Sequence, residues 1–123
     1  GECIIFYTKQ LLAVMKRDKD IDWRGSSYED LMAFPKDVRR EAGKQLRKVQ
    51  AGLEPDNWKP FDDVGMGVKE IRIRVMYVAK FEEAIYVLHC FQKKTEVTSK
   101  PDKEIAATRY RAVINKRKVK HEH

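Results

Sequence analysis

A histidine and a cysteine lie inside the apolar run YVLHCF (86–91), and Lys93 and Lys94 follow after Gln92. Ammonium groups at the end of a strand are held by the sheet behind them. They meet a phosphate with less freedom to lose than lysines on a tail. A strand that simply stops at solvent would end the same way. Upstream, EIRIR (70–74) sets Ile71 and Ile73 on one side of a strand and Arg72 and Arg74 on the other. Two guanidinium groups cannot share a dry core face without partners, so that face is either open to solvent or lines a basic groove. The planar fork of arginine suits phosphate, and the chemistry such groups support is anion binding and stabilisation of charged phosphoryl species.

His89 is the one histidine outside the terminal pair His121 and His123. A lone histidine in a strand is an ordinary hydrogen-bonded core residue as well as a catalytic candidate. No second His, Cys or carboxylate stands near it at ligand spacing, so no metal and no other cofactor is expected. GMG (65–67) reads as a turn, not a phosphate loop, and no Ser-His-Asp set can be assembled. Cys3 and Cys90 form neither a disulfide framework nor a zinc pattern. Cys90 reads as a small hydrophobe, and a reducing cytoplasm is the simplest setting.

The elements that must position these groups come from a chain of 123 residues, a length for one core. Its 37% charged residues carry a net charge of +7, which favours an anionic partner, nucleic acid first. Residues 93–123 hold ten Lys/Arg against four Asp/Glu, nearly the whole excess. A solvated helix face with a basic tail would give the same count. The run CIIFYTKQLLAVM (3–15) is broken by Lys9, too short to span a bilayer and unlike a signal peptide, so no membrane segment is expected. It could form a strand or a short helix, and residues 1–22 are treated as an extension of uncertain structure.

SSYEDLMAFP (26–35) predicts a helix capped by Ser26 with Glu29 returning the bond, ended by Pro35. KDVRREAGKQLRKVQAG (36–52) predicts a second, with a buried stripe of Val38, Ala42, Leu46, Val49 and Leu53 and Gly52 as its C-cap. Its outer face carries Arg39, Arg40, Lys44, Arg47 and Lys48. LEPDNWKPFDDVGMG (53–67) reads as a loop pinned by Trp58 and Phe61. VKEIRIRVMYVAKF (68–81) and EAIYVLHCF (83–91) read as strands. Strict alternation in the second puts Ile85, Val87, His89, Phe91 and Lys93 on one face, and Tyr86, Leu88, Cys90, Gln92 and Lys94 on the other. Both faces are apolar through Phe91, which predicts a central strand. A last helix from about Asp102 turns Ala106, Tyr110, Val113 and Ile114 to one side, with Arg109 and Arg111 flanking. Helices, then strands, then a helix predict an α+β domain over 23–117, with 118–123 as a basic tail. Two N-terminal helices would pack on a small antiparallel sheet, joined by a C-terminal helix.

The combination KP…VGMGVKEIRIR, YVAKF, IYVLHCFQKKT and AATRY, within residues 21–115, resembles the phage-derived, HigB-like branch of the RelE/ParE toxin superfamily. The resemblance implies two helices on an antiparallel sheet plus a C-terminal helix, in the toxin of a type II toxin–antitoxin pair. RelE-like members cleave mRNA on the ribosome without a metal. By that analogy Lys93 and Lys94 stabilise the phosphate and transition state, and Arg72 is a second clamp. Lys59 contacts substrate, His89 and Tyr110 serve in acid/base or stacking roles, and Lys69, Arg74 and Arg109 add RNA contacts. The implied partner is a cognate helix-turn-helix antitoxin in a cytoplasmic hetero-oligomer. Three departures stand out. Nothing between Arg74 and Val75 makes the family's hairpin turn, so either the hairpin is shortened or residues are missing there, and one catalytic arginine is lost. EVTSKP (96–101) replaces a basic run, and the first fourteen residues have no counterpart. Competing functions are a non-catalytic gyrase inhibitor on the same fold and a phage-derived basic protein that only binds nucleic acid or a partner.

Overall fold

The computed structural model describes residues 18–72, 74–92 and 97–122. The apolar run 3–15, Ile73, Lys93, Lys94 and His123 lie outside the described residues. In chain order the elements are β1 (Asp20–Trp23), α1 (Ser27–Met32), α2 (Lys36–Gln50), β2 (Trp58–Pro60), β3 (Val68–Ile71), β4 (Val75–Val78), β5 (Ala84–Cys90) and α3 (Lys100–Glu122). One sheet runs β1-β5-β4-β3-β2. Strands β2 to β5 are antiparallel, as the element order predicts, and β1 adds a parallel pair to β5 at the edge. The α+β class holds, with a mixed sheet. DIDW (20–23) is too short and too acidic to read as a strand alone; it becomes one because β5 offers it an edge. Likewise β2 lies inside the segment expected to be a loop, and its Pro60 is tolerated because β2 is the other edge.

The sheet separates two layers. Leu31 of α1 and Ala42, Leu46 and Val49 of α2 pack on Ile71, Val75, Tyr77, Ile85, Val87 and Cys90. Ala106 and Val113 of α3 pack on Val68, Met76, Val78, Tyr86, Leu88 and Phe91. Helices on both faces bury every residue of β5, the central strand expected.

Local chemistry sets the helix ends. Gly52 (φ +83) closes α2: its N–H bonds to Val49 O (3.0 Å) and the Leu53 N–H to Lys48 O (2.9 Å), a Schellman motif. Leu53 therefore leaves the helix and is exposed instead of completing the stripe. The expected capping box at α1 does not form. Ser26 Oγ donates to Asp30 Oδ2 (2.8 Å), and no side chain caps the helix. At α3 the Ser99 side chain does cap the helix. The Asp102 N–H donates to Ser99 Oγ (3.3 Å) and Ser99 Oγ donates to Asp102 Oδ2 (2.6 Å). The helix then runs to Glu122, so most of the expected basic tail is helical.

β3 and β4 join as a tight hairpin. Ile71 pairs with Val75, and the Arg74 N–H donates to Ile71 O (2.7 Å). Arg74 takes a positive φ of 71°, as the last residue of a tight three-residue loop often must. Arg72 and Arg74 thus lie in the turn and do not alternate along a strand face.

The second correction is in β5. Tyr77 pairs with Val87 but Met76 pairs with His89, which leaves Leu88 as one extra residue. A one-residue insertion reverses the facing of everything beyond it. Cys90 therefore joins Ile85 and Val87 under α1 and α2, while Phe91 joins Tyr86 and Leu88 under α3. His89 turns to α3 as well, where it meets Asp102. The bulge leaves a carbonyl to satisfy, and Arg109 Nη1 donates to Leu88 O (2.9 Å) while Nη2 donates to Ser26 Oγ (3.2 Å). This guanidinium lies against Gly25 (φ +54), where a Cβ would come within 2.5 Å of Arg109 Nε. Gly25→Ala and Arg109→Ala are each expected to cost about 1–3 kcal/mol of unfolding free energy. The double variant should cost less than their sum, because removing the guanidinium removes the clash; urea denaturation of all three measures the coupling.

Candidate functional site

Four residues line up across four strands on the α3 side of the sheet. Lys59 of β2 is opposite Glu70 of β3, Glu70 is opposite Met76 of β4, and Met76 is opposite His89 of β5. Directly opposed residues share a face, so Glu70 and His89 flank Met76 and stand about 10 Å from each other, two strand spacings. Without the bulge His89 would point to the other layer.

Glu70 is a carboxylate 1% exposed. Thr98 Oγ1 donates to its Oε2 (2.8 Å), Arg74 Nη1 lies 3.8 Å from Oε1 and Lys59 Nζ 4.0 Å. Buried carboxylates are stable only when so compensated. The left-handed backbone of Arg74 accompanies this pairing, four residues after Glu70. Phe61, two residues after Lys59, has Lys59 Nζ 5.0 Å and Lys103 Nζ 5.2 Å from its ring centre. Lys103 also pairs with Asp63 at 3.1 Å. Lys59, Arg74 and Lys103 come from three different segments. The Lys59 and Lys103 side chains keep 50% and 35% of their surface open to solvent. A buried anion beneath Lys59 and Arg74 can orient them toward an external phosphate, while Lys103 is held by Asp63.

His89 Nε2 is 2.8 Å from Asp102 Oδ1. A carboxylate only accepts, so Nε2 carries a proton, and in the neutral ring Nδ1 holds the lone pair. Nδ1 is buried and has no hydrogen-bond partner among the described residues. Phe91 stacks on the ring at 5.0 Å and 15°. The pair joins the first turn of α3 to β5.

Three of the nine expected site residues, Lys59, Arg74 and His89, thus stand on or beside one cross-strand line. Arg72 is exposed in the adjoining turn, its N–H bonded to Asn57 O (2.8 Å). Lys69 faces the other way, paired with Glu54 at 3.0 Å and lying 4.3 Å over Trp58. Arg109 holds the bulge. Tyr110 donates to Met66 O (2.9 Å), and its ring lies where a Cβ on Gly65 would be, so it fastens the 65–67 turn to α3. Lys93 and Lys94 lie outside the described residues. Sequence reading missed Glu70, Thr98 and Asp102. Glu70 had a signal, since it shares strand parity with the core residue Val68.

Cys90, on the opposite face of β5, is not a nucleophile here. Burial pushes its thiol up to about 12, with Asp30 adding to the effect and Arg109 opposing it. Among the described residues no group of His, Cys, Asp and Glu is arranged to hold a metal, and no helix is long and apolar enough to cross a membrane.

The family described as phage-derived protein Gp49-like (DUF891) matches residues 29–111, from α1 into α3 and through the whole cross-strand line. The chain belongs to the Gp49-like family. This is a RelE toxin-like family of phage-derived proteins. The matched span leaves out β1 and the last turns of α3, so the Gp49-like part contains the site and most of both layers. No curated protein and no solved structure matches the chain.

Two outcomes are expected. Glu70→Ala should lower unfolding free energy by about 2–4 kcal/mol in urea titration, because it orphans the Thr98 hydroxyl and two cations; Glu70→Gln should cost less. The raised thiol pKa stabilises the fold fully below the unfolded value near 9, and that contribution is lost as pH rises toward about 12. Cys90 should therefore resist iodoacetamide at pH 8 and react only in denaturant, as mass spectrometry of the Cys90 peptide would read.

Proposed function

We propose that this chain is the toxin of a type II toxin–antitoxin pair, of the HigB-like branch, and cleaves mRNA on the ribosome without a metal. The match to a RelE toxin-like family across residues 29–111 carries this reading. The cations gathered over Glu70 are consistent with it. In the reaction the 2′-oxygen attacks the adjacent phosphorus and the P–O5′ bond breaks. The products are a 2′,3′-cyclic phosphate and a 5′-hydroxyl end. A base takes the 2′ proton, cations stabilise the phosphorane, and an acid protonates the leaving 5′-oxygen.

In this reading Lys59, Arg72 and Arg74 contact the phosphates, joined by Lys93 and Lys94 just past the end of β5. His89 is proposed to serve in an acid/base or stacking role, with Asp102 held at its Nε2. Tyr110 and Arg109 act by holding the turn and the bulge, and Lys69 contributes to the other layer. The cognate antitoxin is proposed to be a small helix-turn-helix protein that neutralises the basic surface in a cytoplasmic complex.

Induced expression should halt translation and create new mRNA 5′ ends bearing hydroxyl groups. Lys93→Ala/Lys94→Ala should reduce cleavage at least about 100-fold, the scale of lost transition-state charge stabilisation. His89→Gln should lower cleavage about 100-fold, the scale of general acid–base catalysis; intact cleavage would reduce the residue to a clip between α3 and the sheet. Intact mRNA together with arrested DNA supercoiling would replace this reading by gyrase inhibition.

A further inference from the structure

The solvent side of α2 breaks two helix rules at once. Lys36, Arg39 and Arg40 stand in its first two turns, where the helix dipole disfavours cations, against the acids Asp37 and Glu41. Gly43 stands in mid-helix, exposed, and a Cβ there would meet nothing within 4 Å. An alanine would fit without contact and favour the helix, so packing does not explain the glycine. At 100° per residue Lys36, Arg40, Gly43, Lys44 and Arg47 fall within an arc of about 80–100°, opposite the buried Ala42, Gln45 and Val49. Arg39 folds away toward Met32 O (3.5 Å) and Lys48 is paired with Asp56 at 3.0 Å. The side chains of Arg40, Lys44 and Arg47 have no hydrogen bond or ion pair among the described residues; Lys44 acts on Asp56 only through space.

We propose that this face of α2 docks on the phosphate backbone of an A-form RNA duplex, with Gly43 admitting the backbone close to the helix. The stripe is rigid and about 16 Å long from Lys36 to Arg47, a match for a rigid lattice of phosphates. It carries no aromatic residue, so it lacks the stacking surface that single-stranded RNA uses. It carries no apolar anchor either, which a protein partner would need at the centre of an interface. Duplex RNA is recognised by shape and phosphate contact alone. The surface belongs to the layer opposite the cations around Glu70, so one chain can hold folded RNA on one side and present a site on the other. The inference does not depend on cleavage.

The test is fluorescence anisotropy with a labelled mixed-sequence RNA duplex across a salt series. Arg40→Ala/Lys44→Ala/Arg47→Ala should weaken binding by about tenfold or more and reduce the salt slope by about 2–3. Lys116→Ala/Lys118→Ala/Lys120→Ala removes equal charge from α3 and should leave both nearly unchanged. Gly43→Gln should raise the melting temperature by a few degrees and weaken binding several-fold with the salt slope unchanged. Equal losses from the α2 and α3 triple variants would overturn the proposal, since binding would then follow net charge alone. So would wild-type affinity in the α2 variant, a preference for single strands, or α2-dependent binding of polyglutamate in place of the duplex.

Discussion

One extra residue in the central strand and the guanidinium that satisfies it tie the two layers together. Leu88 is the inserted residue, and its carbonyl accepts from Arg109 of α3. The same guanidinium reaches Ser26 at the start of α1 and packs over Gly25. A bulge inside a buried strand would otherwise leave an unpaired carbonyl in the core, which costs about 1–3 kcal/mol. Here that need is met by an arginine that at the same time fixes where both helical layers sit. The facing of His89, Cys90 and Phe91 follows from it, and with it the composition of each core cluster.

The bulge also explains how a sheet this apolar can hold polar chemistry. Lys59, Glu70, Met76 and His89 form one line, and each ionisable member is matched by a group from outside its strand. Thr98, two residues before α3, bonds to Glu70, and Asp102 in the first turn of α3 bonds to His89. The first turn of α3 is thereby a polar lid clip, while Ala106 and Val113 further along bury apolar surface. Low local dielectric makes such a satisfied network strong and a broken one costly. The same network holds Arg74 and Lys59 in place with part of their surface open.

Charge is distributed over both layers. The C-terminal third carries most of the net excess by count, yet several of its cations are spent on structure: Arg117 on Glu83 at 2.6 Å, Lys116 on Asp22 at 3.6 Å and Lys103 on Asp63. By contrast Arg40, Lys44 and Arg47 of α2 have no such partner among the described residues. Formal charge in a segment and charge available to a ligand are different quantities, and pairing decides between them.

By itself the sequence determined the α+β class, both long helices, the central β5 and the stop at Gly52. Each rests on periodicity or on a residue with one permitted backbone role. Its family signature was equally legible, because KEIRIR and IYVLHCFQKKT are contiguous strings. Only the tertiary structure decided the rest. β1 and β2 are strands because neighbours supply their hydrogen bonds, which no local pattern records. The EIRIR segment turns after Ile71 because Val75 must pair back on it. His89 faces α3, and Arg109 serves the fold, because a single inserted residue changed parity. Alternation predicts facing only while pairing stays in register, and register is a property of two strands.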